Sequence, residues 1–226
     1  GGTMNIITKT LDQKPEISVK QDFGNNNYHR TAFSYNSGLK KDKFGIIMAG
    51  SYRSGDGYVQ GTFIEAWSYF VKVQWKINSN HLLSLSANGA PQKHGQRNFK
   101  TTLGVFNKDM ASDLGIQNPD SNMYLSGFLN ANSEEKPRSY NYEVVKLNGE
   151  DYYANTNYYH KPLFNLSHFW QKNEKLSIST VGYASYGFGG GTGLNNTLPN
   201  DKATGYADIT NLYNNNSNFV ASGATL

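Results

Sequence analysis

The chain contains no cysteine, which excludes a disulfide scaffold and any thiolate chemistry. Proline is scarce, with 6 residues in 226. No stretch approaches the roughly 18 consecutive apolar residues of a membrane-spanning helix, and the mean hydropathy is only −0.63. Any passage through a bilayer must therefore use strands closed into a barrel, because every backbone N–H and C=O has to be paired there. Charge is also unconcentrated. The net charge is +4 and the pI is near 9.0, but the lysines and arginines are scattered and form no basic patch with interleaved aromatics. Nucleic acid is not an expected partner.

What is abundant is aromatic and flexible: 16 Tyr, 12 Phe, 3 Trp and 23 Gly. That mixture favours long pleated strands with irregular loops over helices. The segment from Ala66 to Ile77 shows the pattern best. Trp67, Tyr69, Val71, Val73, Trp75 and Ile77 share one parity, and Ser68, Phe70, Lys72, Gln74 and Lys76 share the other. A strand with aromatics at both ends of its apolar face and lysines on the opposite face suits two solvents. Bilayer strands run about 9–11 residues or more and carry aromatic girdles at both headgroup levels.

Further strands are read at Ile17 to Phe23, Tyr28 to Asn36, Phe44 to Arg53, Leu83 to Ala87, Tyr158 to Trp170 and Leu176 to Gly187, making about seven in all. In the last, Val181 and Tyr183 compete with Leu176, Ile178 and Ala184 for the apolar side. Short polar turns fall at Lys40 to Asp42, Asn78 to Asn80 and Gln171 to Lys175. Longer connections are expected at Ser54 to Glu65, at about Gly89 to Asn157, and from Phe188 onward. Within the longest, Asp109 to Gly115 reads as one helical turn, and Tyr140 to Leu147 pairs with Glu150 to Ala154 around Asn148-Gly149. A compact soluble domain rarely carries so long a connection, whereas outer-membrane barrels alternate short periplasmic turns with long extracellular loops. The fold class expected is all-β, an antiparallel transmembrane barrel fragment with long extracellular loops.

Two segments carry a recognisable pattern: the opening GGTMNIITKT, and NSNHLLSLSANGAPQKHGQRN at Asn78 to Asn98. The first resembles the end of the plug domain of TonB-dependent outer-membrane receptors, and the second resembles a barrel strand and loop of the same family. YYHKPLFNLSHFWQKNEKLSISTVGYASYGFGGG, at Tyr158 to Gly191, is similar to a later hairpin. The resemblance implies that residues 1–14 end the plug and linker, and that residues 15–226 form the N-terminal part of a barrel wall. Family barrels have about 22 strands around a plugged lumen, so both ends of this chain are expected to be cut from something longer. It further implies active uptake of a scarce or bulky nutrient such as a ferric siderophore, oligosaccharide or peptide. The implied partners are outer-membrane lipid, the TonB complex through a plug region this chain lacks, the nutrient itself and a surface lipoprotein.

No enzyme activity, cofactor or metal is expected. The histidines His29, His81, His94, His160 and His168 lack the close spacing of a metal site. The acidic residues Asp56, Asp109, Asp113, Glu134, Glu135, Glu150 and Asp151 lie in proposed loops, where solvated charge is the simple reading. Gly189 to Gly193 lacks the lysine and helix of a phosphate loop, and Ser54 to Gly57 lacks the further ligands of a calcium loop. The substrate-binding candidates are Tyr152, Tyr153, Asn155 and Tyr158. Flat amphipathic rings stack on sugars or peptides at little entropic cost, and amides hydrogen-bond in two directions. The competing reading is an interfacial aromatic belt. Lys20, Arg30, Arg53 and Lys72 are expected to face a hydrated lumen. A secreted, soluble β-sandwich that binds glycans is the alternative, and it would bury the Trp67 face against a second sheet.

Overall fold

The computed structural model describes residues 14–97, 103–116, 135–141, 143–153, 155–193 and 206–217. The proposed plug end lies almost wholly outside them, as does Glu134. In chain order the strands are β1 (Glu16–Phe23), β2 (His29–Asn36), β3 (Phe44–Asp56), β4 (Phe63–Lys76), β5 (His81–Gly89), β6 (Gln92–Gly95), β7 (Val145–Leu147), β8 (Glu150–Tyr152), β9 (Thr156–His160), β10 (Leu163–Asn173), β11 (Leu176–Ser185), β12 (Phe188–Thr192) and β13 (Ala207–Asp208). Among the described residues there are also two short α-helices, α1 (Lys108–Asp113) and α2 (Thr210–Ser217), and a 3-10 turn at Leu103–Val105. The protein is all-β and mostly antiparallel. The chain divides into two compact units, one of residues 1–55, 64–93 and 158–190 and the other of residues 56–63, 94–157 and 191–226.

The first unit is a sheet in the order β1-β2-β3-β4-β5-β10-β11, with β6, β9 and β12 off that path. Each of the first five strands pairs with its sequence neighbour, and β10 then docks directly on β5, with Leu166 opposite Leu85 and Trp170 opposite His81. The sheet is open, since β1 and β11 do not pair among the described residues.

The turns are built from residues that tolerate left-handed backbone. Lys41 and Asp42 have φ of 51° and 55° between β2 and β3. At the next turn the Asn78 carboxamide oxygen accepts from the amides of Asn80 and His81 at 2.9 and 3.0 Å, an Asx turn that starts β5.

The connection expected at about Gly89 to Asn157 is interrupted by β6, which pairs with β4 and β9 in the main sheet. Three further expectations need correction. The connection expected at Ser54 to Glu65 shrinks to residues 57–62, because β3 runs on to Asp56 and β4 begins at Phe63. Phe188 opens a strand and not a loop: β12 pairs with β9. The glycines there allow that approach, since a Cβ on Gly189 would lie 2.7 Å from the Tyr158 carbonyl oxygen. Third, the YYHKPLFNLSHFW run is two strands, β9 and β10, separated at Pro162, whose missing N–H cannot serve a ladder.

The second unit holds most of the buried apolar side chains. Val105 and Tyr140 pack with Phe106 and Tyr206, and Val145 and Ala207 pack with Ile209. Of the expected hairpin only the inner part pairs, Val145–Leu147 (β7) with Glu150–Tyr152 (β8), closed by Asn148 and Gly149 at φ of 53° and 84°, the signature of a type I′ turn. β13 runs parallel to β7. The expected helical turn is α1, whose N-cap Asn107 accepts from the Met110 amide, satisfying a donor that the first turn leaves free.

Candidate functional site

Residues directly opposite in an antiparallel pair project from the same face, so the register sorts the sheet into two surfaces. Ile17 faces Tyr35 and Val19 faces Phe33; Tyr35 faces Met48; Val71 faces Ala87 and Val73 faces Leu85; Leu85 faces Leu166 and Ala87 faces Phe164; Trp170 faces Ile178. β3 and β4 join this series through the Tyr52 and Trp67 rings, 4.5 Å apart. All of these positions form one apolar surface across seven strands.

Most of that surface is exposed, with Tyr35, Val73, Ala87 and Trp170 partly covered. Trp67 is 59% and Trp75 51% exposed, and Ile17, Val19, Phe33, Met48, Val71, Leu85, Phe164, Leu166 and Ile178 are exposed as well. Of the buried apolar residues, only Ile47 and Ala66 belong to this unit among the described residues. The register also settles β11, where Ile178 and Ala184 lie with Trp170 and Phe164, while Val181 and Tyr183 lie with Ser167 and Asn165 on the other side.

The opposite face is mostly polar. Ser51 and Ser68 meet through their hydroxyls at 2.7 Å, and Lys20, Arg30, Arg53 and Lys72 are all on this side. Arg30 stands opposite Arg53, a like-charge pair that Asp22 offsets by accepting from Arg30 at 3.3 Å and from Lys20 at 3.2 Å. A cavity of about 260 Å³ opens here beside Ile47 and Phe70. Asn36 lines it, buried, with its Nδ2 lacking a hydrogen-bond partner.

The four binding candidates separate. Tyr152, Tyr153 and Asn155 belong to the second unit and Tyr158 to the first. Tyr153 packs on Phe63 at 5.1 Å between ring centroids, and the Asn155 amide donates to Glu143 at 2.6 Å, so both have structural tasks. Tyr152 ends β8 with its ring half exposed. Next to it in the hairpin, Asp151 is pulled by desolvation toward a raised pKa. Hydrogen bonds from Lys146 and Gln60 and the Lys146 charge outweigh that, holding it below the ordinary 3.8. Lys146 is raised in turn, first by its hydrogen bond to Asp151.

Tyr158 lines an open cleft of about 320 Å³ together with Glu65, Trp67, Lys93, His160 and Phe188. The Tyr69 hydroxyl meets His160 Nε2 at 3.0 Å, and Phe188 stands edge-on to the His160 ring at 5.4 Å. The sequence alone did not join Trp67 and Phe188 to Tyr158. The alternation that places Trp67 was legible, but the glycine triplet after Phe188 hid the strand that brings it in. Among the described residues no three His, Cys, Asp or Glu side chains converge as a metal site would require.

Fold and surface together define an all-β, mostly antiparallel protein with an open amphipathic sheet. A scan against family models and a search of curated proteins return no match to the chain.

Proposed function

We propose that this chain is part of the wall of a TonB-dependent outer-membrane receptor, which takes up a scarce or bulky nutrient such as a ferric siderophore, oligosaccharide or peptide. One observation carries the membrane part of this reading: the exposed apolar surface of the seven-strand sheet, backed by a polar one. In water such a surface has no counterpart to bury against and sacrifices the hydrophobic stabilisation of every residue on it, at about 25 cal/mol per Å². Against acyl chains it is the correct outer surface of a barrel.

The dimensions agree. Trp67 to Trp75 spans about 27 Å along the strand at roughly 3.4 Å per residue. With the tilt of membrane strands this gives about 20 Å of height between the rings, close to an apolar band of about 25 Å with aromatic girdles. Lys20, Arg30, Arg53 and Lys72 then face the hydrated lumen, where Asn36, whose Oδ1 already accepts from the Gly38 amide, has Nδ2 left to donate to a plug. The second unit supplies extracellular loop structure. The receptor family itself rests on the resemblance of GGTMNIITKT and the two later segments. In this reading the ligand is captured by extracellular structure such as the strands β8 and β9 that bear Tyr152 and Tyr158, and TonB drives plug displacement with no bond made or broken.

The test is tryptophan quenching in vesicles of lipids brominated or spin-labelled at defined depths. Trp67 and Trp75 are expected to be quenched most by labels near the headgroup end of the chains, at opposite leaflets. A chain that is monomeric in buffer and whose tryptophans no lipid label quenches would overturn the membrane reading. For the full-length protein, uptake that persists in a strain without TonB would overturn the family.

A further inference from the structure

We propose that His81 and His168 form a two-histidine chelate for a divalent transition-metal ion of the Cu2+ or Ni2+ class. His81 opens β5, and His168 lies on β10 two pairs further along, opposite Leu83. The two rings project from the same surface, diagonally across the strand pair. Their planes differ by only 7° and their centroids are 5.2 Å apart, while His81 Nδ1 and His168 Nε2 are 3.0 Å apart. A short N···N contact with so wide a centroid spacing puts the rings edge to edge, with two ring nitrogens sharing one gap.

As it stands the gap holds an N–H···N hydrogen bond, in which one ring donates and the other accepts. For both nitrogens to act as ligands, the donating ring moves its proton to its other nitrogen. That is a change of tautomer with no net proton loss. The torsion χ2 of histidine is broad, so small rotations aim both lone pairs at a common point on the half-exposed side.

From the present separation, coordination at adjacent corners needs the smallest movement of the two rings. With bonds of about 2.0–2.1 Å, two nitrogens 3.0 Å apart subtend close to 90° at the ion, which is a pair of adjacent corners in tetragonal or octahedral geometry. Tetrahedral zinc wants about 3.3–3.4 Å between such nitrogens. Both rings stand on the apolar surface, but at its turn end, where His81 directly follows the polar turn at Asn78 to Asn80. Because no third His, Cys, Asp or Glu side chain joins them among the described residues, water from that end fills the remaining positions. Trp170 lies beside His81, its ring within 9° of parallel at 5.6 Å, which limits where the His81 ring can swing. The other three histidines are elsewhere: His29 contacts Ser54, His160 contacts Tyr69 and His94 lies on β6. The site depends on the β5–β10 register alone and survives if the sheet proves not to lie in lipid.

The experiment titrates CuSO4 and NiCl2 into the full chain folded in detergent micelles, and records electron paramagnetic resonance and pulsed electron–nuclear coupling for Cu2+. One Cu2+ per chain with two coupled imidazoles is expected, and H81A or H168A should each weaken binding by about tenfold or more. A spectrum of the wild-type chain showing one imidazole or none overturns the proposal without recourse to any variant. So does equal affinity in the wild type and in H81Q/H168Q.

Discussion

At the scale of single residues, three glycines of the sheet make different demands. A Cβ on Gly182 would meet nothing within 4 Å, so G182A should be neutral or stabilise by about 0.5 kcal/mol through reduced chain entropy. At Gly89 a Cβ would lie 2.5 Å from the Tyr69 hydroxyl and 2.7 Å from His160 Nε2. Those groups are side-chain ends and can swing aside, but only by giving up their mutual hydrogen bond, so G89A should cost about 1 kcal/mol. At Gly189 the obstacle is the backbone of Tyr158 and Tyr159, which cannot yield without moving β9, so G189A should cost about 1–3 kcal/mol. Denaturant midpoints of the three variants in detergent are expected in that order. A Gly189 variant as stable as wild type would mean that β12 does not lie against β9.

At the scale of elements, β4 tests which solvent each face meets. Arginine at Val71, in the middle of the apolar surface, should cost about 2–4 kcal/mol if that surface lies at the bilayer midplane, while arginine at Gln74, on the polar face, should cost little. Unfolding in vesicles measures both. In a water-exposed sheet V71R and Q74R would be equally harmless, and that equality would remove lipid from the account. This strand was legible from the chain because its twelve-residue alternation leaves one assignment of faces, and the hairpin at Asn148-Gly149 was legible from its turn chemistry. β12 was not, since Gly189, Gly190 and Gly191 carry no side chains to alternate. The facing of β11 was undecidable on its own strand, where apolar residues occur on both parities; pairing with β10 decides it. For the same reason His81 and His168, 87 residues apart in the chain, gave no sign of meeting: their contact exists only in the β5–β10 register. Of the binding candidates, Tyr158 enters an aromatic cleft, whereas Tyr153 and Asn155 turn out to brace their own unit, because an amphipathic residue type does not say whether its polar end is already engaged.

At the scale of the molecule, the decisive feature is the pair of open sheet edges. Among the described residues β1 pairs only with β2, and β11 only with β10, so each presents a row of backbone donors and acceptors to whatever lies beyond. Water can satisfy such a row, but hydrocarbon cannot, and each unmet group there costs several kcal/mol. A sheet with one apolar face and two open edges therefore has two ways to be satisfied: more strands that complete a ring, or copies of itself. The exposed edges also template pairing between chains. Expressed by itself without detergent, the 226-residue chain is expected to aggregate. In micelles, light scattering should find oligomers whose size grows with protein concentration, since neither edge carries a built-in stop. On the proposed barrel reading, a second polypeptide supplying strands that continue the sheet should cap both edges and yield a single closed species of fixed mass. A chain that is monomeric in buffer at high concentration, with β1 and β11 amides exchanging as slowly as those of β3, would show that its edges and its apolar face are covered by the chain itself, and no barrel would then be needed.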